Sequence, residues 1–482
     1  MNAERRIPAP TRAAAGDARR AAPVPATGRT RLRTAALALL LALGSAAARA
    51  EVSAAASGTA PLVIDAPRAA RDADAAPDRF LQIDTRDAEL RLQALVRLAA
   101  ARSALVAAGE READASRADL DETRGARLPR VDAGARAAFA GASTPWLGNG
   151  RQTSASLGAS VPVYDFGRQS ALEDWRRRLA EAAALGVDAT REAVALEAAT
   201  LAVERERARA QAGVQRQYAL RMAALADRIG QIVAVDRGRA SELVQARKTQ
   251  AQAELARDAA LATQRQIETR LRRFVGDDLA PADGIAPALI GAPDFEQLSA
   301  DARDSRELRQ LRAQADAAGS QAEAVAAGQK PQVSLAASRS VGRNGELNAG
   351  AWMAGIQLSY TIFSGQSDVA ARRAALERAA AARERVTEAN AQRQTQLLET
   401  FDQLAASFDR ARGYGDVVRA SDELREATFQ QWAELGRRSL FDVMSAEADH
   451  YALRAAYLNS LFDGYQANLR LRSLGPGLLA AR

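Results

Sequence analysis

Two kinds of hydrophobic period follow one another along this chain. Over residues 130–139 apolar side chains recur at every second position, with Val131, Ala133, Ala135, Ala137 and Phe139 separated by Asp132, Gly134 and Arg136. Residues 153–164 read the same way, Ala155, Leu157, Ala159, Val161 and Val163 alternating with Ser154, Ser156, Gly158 and Ser160. The period returns at 332–339 through Val333, Leu335 and Ala337. It returns again at 351–363, where Ala354, Ile356, Leu358, Tyr360 and Ile362 oppose Gly355, Gln357, Ser359 and Thr361. Alternation sustained over about 9–11 residues predicts strands that face lipid on one side. One such hairpin more often belongs to a soluble sheet; two matching ones, each running into a very long helical stretch, favour the membrane.

After each hairpin the period changes to that of a helix. Leu172, Trp175, Leu179, Ala182, Ala189, Ala193, Leu196 and Val203 fall at spacings of three and four or their sums, and Phe401, Leu404, Phe408 and Ala411 extend a similar stripe later on. With no proline to interrupt them, helices are predicted over about 168–235 and 366–434, each about 100 Å long at 1.5 Å per residue. Rods of that length do not fit inside a compact domain.

The same punctuation occurs twice. Gly167 and Gly365 follow the strand ends and lie 198 residues apart; Gly238 and Gly436 open "GRASELVQA" and "GRRSLFDVM", again 198 apart. The chain therefore reads as a tandem duplication, with one repeat over 84–275, an inter-repeat equatorial segment at 276–300, a second repeat over 301–475 and a tail at 476–482. Gly238 and Gly436 are expected to reverse the chain at hairpin tips, with Ser241 and Ser439 capping return helices that run to about Phe274 and Ser473. The stretches "ASTPWLGNG" and "VGRNGELNA" read as loops on the outer face.

Composition alters this picture at three points. The chain is 48% hydrophobic but only 5% aromatic, which favours alanine- and leucine-faced helices over a thick globular core. Its +7 charge resides entirely in residues 1–50, which hold nine arginines and two acids, while 51–482 carry 57 basic and 57 acidic residues. That balance argues against a nucleic-acid partner. Arg29, Arg31 and Arg33 ahead of an apolar run from Ala35 to Leu43, then Ala48-Arg49-Ala50, form the layout of a signal peptide cleaved after Ala50 and preceded by a long basic segment; 51–83 follows as a flexible segment. No cysteine is present, so disulfides and thiolate metal sites are excluded. No nucleophile elbow, phosphate loop or metal-ligand cluster is found, so no enzyme activity, cofactor or metal is expected.

Four membrane strands cannot close a barrel, because the open edges would leave backbone groups unpaired in hydrocarbon, and known single-chain barrels need about eight strands. Several copies must pool their hairpins, and geometry alone leaves their number open.

The prolines before strands (Pro129 in "ARLPRV", Pro331 in "GQKPQVSL"), the strand exits "VYDFGR" and "IFSGQ", and the long segment "GRRSLFDVMSAEADHYALRAAYLNSLFDGYQANLRLRSLG" resemble the TolC family of outer-membrane efflux and secretion channels over roughly 84–475. The resemblance implies a mainly helical fold with membrane strands. A homotrimer would share a twelve-stranded barrel in the outer membrane and continue it as a periplasmic helical tunnel. It also implies a passive exit duct for type I secretion or efflux, served by a periplasmic adaptor and an inner-membrane ABC or proton-driven transporter, and bounded by outer-membrane lipid.

By the same resemblance Asp442 matches the first aspartate of a ring at the periplasmic gate, Ser445 stands where a second is found, and Arg438 matches a latch arginine. The latch partners correspond to Leu243 and Val244, and a latch aromatic to Ala433, so the polar latch is replaced by apolar positions. Gly238, Arg239, Gly436 and Arg437 mark the adaptor-docking tips, and Phe139, Trp146, Tyr164, Phe166, Trp352, Tyr360 and Phe363 an interfacial girdle. His450, as a lone imidazole, reads as a packed or surface residue rather than a metal ligand. A surface coiled-coil stalk or adhesin and a periplasmic adaptor are the alternatives, and the cargo, protein or small molecule, is left open.

Overall fold

In a computed structural model the described residues are 85–140, 150–344 and 347–480, all within one compact unit, Ala66–Arg482. The expected signal peptide, the 51–83 segment and Trp146 lie outside them. Twelve elements carry the architecture: α1 (Thr85–Arg102), α2 (Ala104–Gly125), β1 (Arg130–Ala140), β2 (Gly150–Tyr164), α3 (Arg168–Val235), α4 (Ala240–Val275), α5 (Phe295–Arg303), α6 (Arg306–Ala327), β3 (Gln332–Asn344), β4 (Leu347–Ser359), α7 (Ser367–Ala433) and α8 (Leu440–Leu474). The fold is mainly helical with one four-stranded antiparallel sheet, in the order β1-β2-β3-β4.

The junction "VYDFGR" is a strand-to-helix corner. Phe166 (φ 53°) and Gly167 (φ 87°) are both left-handed, and the Asp165 carboxylate accepts from the backbone N–H of Gly167 (3.1 Å) and Gln169 (2.7 Å), satisfying donors at the start of α3. A similar corner, its left-handed pair one residue later relative to the glycine, forms at Gly365 (φ 61°) and Gln366 (φ 68°), where the Ser364 hydroxyl accepts from Asp368 N–H at 3.4 Å. Two consecutive left-handed residues turn the chain sharply, and glycine supplies that conformation without strain.

The second hairpin departs from the sequence reading at both ends. β3 and β4 run to Asn344 and Leu347, so most of "VGRNGELNA" is strand. At the other end β4 stops at Ser359, which pairs with Gln332. Tyr360, Ile362 and Phe363 lie beyond it because the next residue on the partner is Pro331, which has no N–H to donate. A register shift between Pro162 and Tyr164 in β2 adjoins another proline in the ladder.

Burial along α3 also differs from the predicted stripe. Ala182 and Val203 are buried, but Ala193 is exposed, and the deepest positions in the middle of the helix are Ala195, Ala198, Ala199, Ala202 and Val203. At this level α3 is packed by α1, α4, α8 and the turns after α4, so alanines are enclosed on more than one side. Around them lie Leu92, Leu95, Leu271, Phe274, Ile285, Leu289, Phe462 and Leu469. A second cluster near the tips joins Met222, Ile229, Ala246, Trp432, Leu440 and Val443; a third joins Leu298, Leu397, Leu404 and Leu471.

Segment 276–294 is held on the helices by buried polar groups. Glu206 accepts from Ile285 N–H at 2.9 Å, and the Asn468 amide donates to the carbonyls of Leu289 (2.9 Å) and Gly291 (2.6 Å). Burial raises the Glu206 carboxyl above its ordinary pKa, against three backbone N–H groups that lower it. The tail returns to the same level, Leu478 N–H donating to Glu192, which also holds Arg306 at 3.2 Å. No single helix among the described residues is long and apolar enough to cross a membrane. The α1–α2 pair, bent by 58°, passes only together, and its Leu92, Leu95 and Val96 belong to the hydrophobic core around the middle of α3.

Candidate functional site

The sheet presents two chemically distinct faces. Registered rows such as Val161–Leu335–Ile356 and Val131–Ala159–Ala337–Ala354 stack on one side. The intervening positions Ser154, Ser156, Ser160, Ser334, Ser338, Ser340 and Gln357 stack on the other. The apolar face is uncovered in the single chain: Ile356 is 77% exposed and Val131 65%. β1 and β4 each have a free edge.

Aromatic side chains collect at two levels. Phe139 and Trp352, 88% and 81% exposed, lie on the apolar face toward the hairpin loops. Tyr164 and Phe166, edge to face at 4.6 Å, lie toward the helices, as do Tyr360 and Phe363 beyond β4.

At the other end, the two tips are built differently. Gly436 has φ 59°, and Ser439 caps α8 in a reciprocal box: its hydroxyl accepts from Asp442 N–H (3.2 Å) while the Asp442 carboxylate accepts from Ser439 N–H (3.0 Å). The Ser439 backbone and hydroxyl hold the Asp442 carboxyl below its usual range. Gly238 is not left-handed; it sits in a 3-10 turn, Arg237–Arg239, where the Asp236 side chain accepts its N–H at 2.9 Å. α4 begins at Ala240, so Ser241 lies inside the helix and does not cap it. Asp236, five residues upstream, takes that role for the turn.

Arg438 donates to Gln431 at 3.2 Å, and Arg239 to Glu242 at 2.6 Å. Leu243 packs into the tip cluster, whereas Val244 is 70% exposed. Ser445 is exposed, Ala433 is exposed at the end of α7, and Arg437 lies in the turn. The structure adds residues that the sequence reading missed: Val235, Leu435 and Phe441 are exposed apolar side chains grouped at the tips. An aromatic two residues past a helix cap was the available signal for Phe441.

Above the tips lies a buried ionic cluster. Glu447 on α8 is fully buried and accepts from Arg221 of α3 at 2.6 Å and Arg425 of α7 at 3.5 Å. Arg425 also donates to Asp422 at 2.6 Å. His450, 4% exposed, bonds the Ser421 hydroxyl at 2.9 Å through Nδ1. Burial opposes the charge on Arg425, but Glu447 and Asp422 together raise its pKa. Burial and the Glu447 charge raise that of Tyr218. No group of three or more potential metal ligands occurs among the described residues.

No protein-family model and no curated protein matches the chain. Solved structures do. The Campylobacter jejuni CmeC outer-membrane channel superposes with a TM-score of 0.69 at 13% identity, covering 81% of this chain and 87% of that one. The outer-membrane channel OprN gives 0.69 at 18%, covering 81% and 91%. The open state of the Neisseria gonorrhoeae MtrE outer-membrane channel gives 0.63 at 17%, covering 81% and 89%. At these identities the likeness speaks to architecture, and it extends over sheet and helices together: the chain has the fold of the TolC-family outer-membrane channels.

Proposed function

We propose that the chain is one subunit of a homotrimeric outer-membrane exit duct. Three sheets join edge to edge into a twelve-stranded barrel, with the serine-rich face lining the lumen and the apolar face against lipid, and the long helices continue the bore through the periplasm. The observation that carries this reading is a sheet with one uncovered apolar face and two free edges, continuous with two helices of 68 and 67 residues. Such edges are stable in a bilayer only when paired. The duct is passive and non-catalytic. Its cargo, protein or small molecule, is delivered by an inner-membrane ABC or proton-driven pump through a periplasmic adaptor. The adaptor docks on the tips, where Gly238, Arg239, Gly436 and Arg437 lie beside exposed Val235, Leu435 and Phe441.

A periplasmic adaptor carries one hairpin between β-rich flanks, and a stalk has no sheet; here two hairpins feed one sheet. Membrane fractionation with unheated gel electrophoresis tests the reading: the protein should sediment with outer membrane and migrate as a trimer that heat converts to monomer. A soluble periplasmic monomer would sink it.

Asp442 is assigned to the gate, with Arg438, Ser445, Leu243 and Val244 around it. In a trimer three Asp442 carboxylates face one another at the entrance, ionised because Ser439 favours the charged form. Asp442→Ala should reduce cation preference and block by multivalent cations in single-channel recordings, by several-fold. Unchanged selectivity and block would remove the residue from the gate.

A further inference from the structure

The serine-rich face of the sheet carries three charged side chains among the described strand residues, Arg130, Asp132 and Arg136. Arg130 and Asp132 cancel, bonded to each other at 2.9 Å. The exposed Arg136 guanidinium makes no ion pair or hydrogen bond among the described residues, so it alone sets the net charge of this face.

Its surroundings form an open bay. Arg136 pairs in register with Ser154, and Ser154 with Gly342. Gln152 and Ser156 are its diagonal neighbours on the same face, roughly 7–8 Å away and within reach of a long side chain. A cavity of about 200 Å³ lies here, its lining including Arg136, Gln152, Ser154 and Gly342. Gly342 keeps the space beside Ser154 open. A Cβ there would stand 2.8 Å from the Thr153 carbonyl oxygen and 3.2 Å from the Ser154 Cβ, so the close approach of β2 and β3 admits only glycine without a backbone shift. A guanidinium fork, a hydroxyl and a carboxamide can all donate to one oxyanion, and none of these groups is acceptor-only. An arginine that merely meets bulk water needs neither the bay nor the flanking donors.

Arg136 is six residues from the helix-side end of β1 at Arg130 and four from its loop-side end at Ala140, about 20 Å up the strand. In the duct this is the outer half of the lumen. Three copies around one bore with low-dielectric walls focus a positive potential on the axis, and rings of arginine are the charge type that anion pores use.

We propose that Arg136, with the Ser154 hydroxyl and the Gln152 amide beside it, forms an oxyanion-binding site on the lumen wall, three of which make a positive ring favouring cargo that bears phosphate or carboxylate groups. This rests on the exit-duct reading, which makes the serine-rich face the lumen, and goes beyond it by naming the charge class the barrel admits. The ring has the opposite sign to the Asp442 carboxylates assigned to the other end of the duct.

The test uses the full-length trimer in planar bilayers, with inorganic triphosphate or citrate added to each side in turn and sucrose as the neutral control. Both anions should block the wild type, more strongly from the side of the loops, and the block should weaken as KCl rises from about 0.1 to about 1 M. Arg136→Gln should raise the half-blocking concentration about ten-fold, as expected for one lost charge-assisted contact, and shift the reversal potential in a KCl gradient toward cation preference. Arg136→Lys should keep the reversal potential but take triphosphate several-fold more weakly, because an ammonium cannot fork. Arg151→Gln removes the same charge from the loop-side half of the apolar face and should behave as wild type. Unchanged block and reversal potential in Arg136→Gln, the same loss in Arg151→Gln, or a wild type insensitive to both anions would each overturn the site and leave the duct standing. Equal triphosphate block by wild type and Arg136→Lys would overturn it too, which keeps the test decisive if the glutamine variant does not assemble. A wild type that forms no channels removes the exit-duct reading itself, and the site with it.

Discussion

Glu447→Ala should lower the stability of the folded protein by about 3–5 kcal/mol, the range for removing one partner of a buried ion pair. Glu447 is fully buried, and the alanine leaves Arg221 and Arg425 without the acceptor that joins them. Arg425 keeps Asp422, but that carboxylate is half exposed and comes from the same helix, so the link between α3, α7 and α8 is lost along with the charge balance. Glu447→Gln should fall between wild type and alanine, since the amide oxygen still accepts from Arg221 while the negative charge is gone. The urea midpoint, followed by helical circular dichroism of the detergent-solubilised protein, measures the effect; a loss below about 1 kcal/mol would show that water replaces the carboxylate without penalty. The cluster also ties the α7–α8 pair to α3 just above the tips. If the entrance opens by movement of that hairpin, the same variant should show longer open times in bilayer recordings.

This cluster marks the limit of what could be read from the chain. Period-two and helical patterns are local, so the strands and long helices were legible from composition within each segment. The duplication made them mutually supporting, because Gly167 and Gly365 both take part in a left-handed corner between strand and long helix. Charged residues on a helix are read by default as solvent-facing, and nothing local says that Arg221, Arg425 and Glu447, drawn from three helices, meet in the interior. The α3 stripe was likewise too narrow: Ala195, Ala198, Ala199 and Ala202 outside it are buried by neighbours that periodicity does not see, including the turns around Ile285 and Leu289.

Boundaries failed for identifiable reasons. The apolar alternation of β4 continues through Tyr360 and Ile362, but a strand ends where its partner ends, and Pro331 ends β3. At the tips, Ser439 and Asp442 followed the S-x-x-D capping pattern and were legible. Ser241, three residues after Gly238 as Ser439 is after Gly436, did not repeat it, because Asp236 had already capped the 3-10 turn and the helix started earlier.

The polarity of the two sheet faces gives the largest expected contrast between adjacent positions. Ile356 sits on the apolar face opposite Leu335, in the helix-proximal half; Gln357, opposite Ser334, projects to the other face. In the proposed barrel Ile356→Arg would place a guanidinium in the hydrocarbon band, at a cost of about 2–4 kcal/mol per chain at mid-depth. Three copies per trimer multiply that penalty, so Ile356→Arg should abolish the heat-dissociable trimer and leave the chain out of the outer-membrane fraction. Gln357→Arg changes the same charge at nearly the same depth but, in the proposed barrel, projects into the lumen. It should assemble normally and shift ion selectivity toward anions. Equal tolerance of both substitutions would mean that the apolar face does not meet lipid, and equal failure would mean that the serine face is not the lumen.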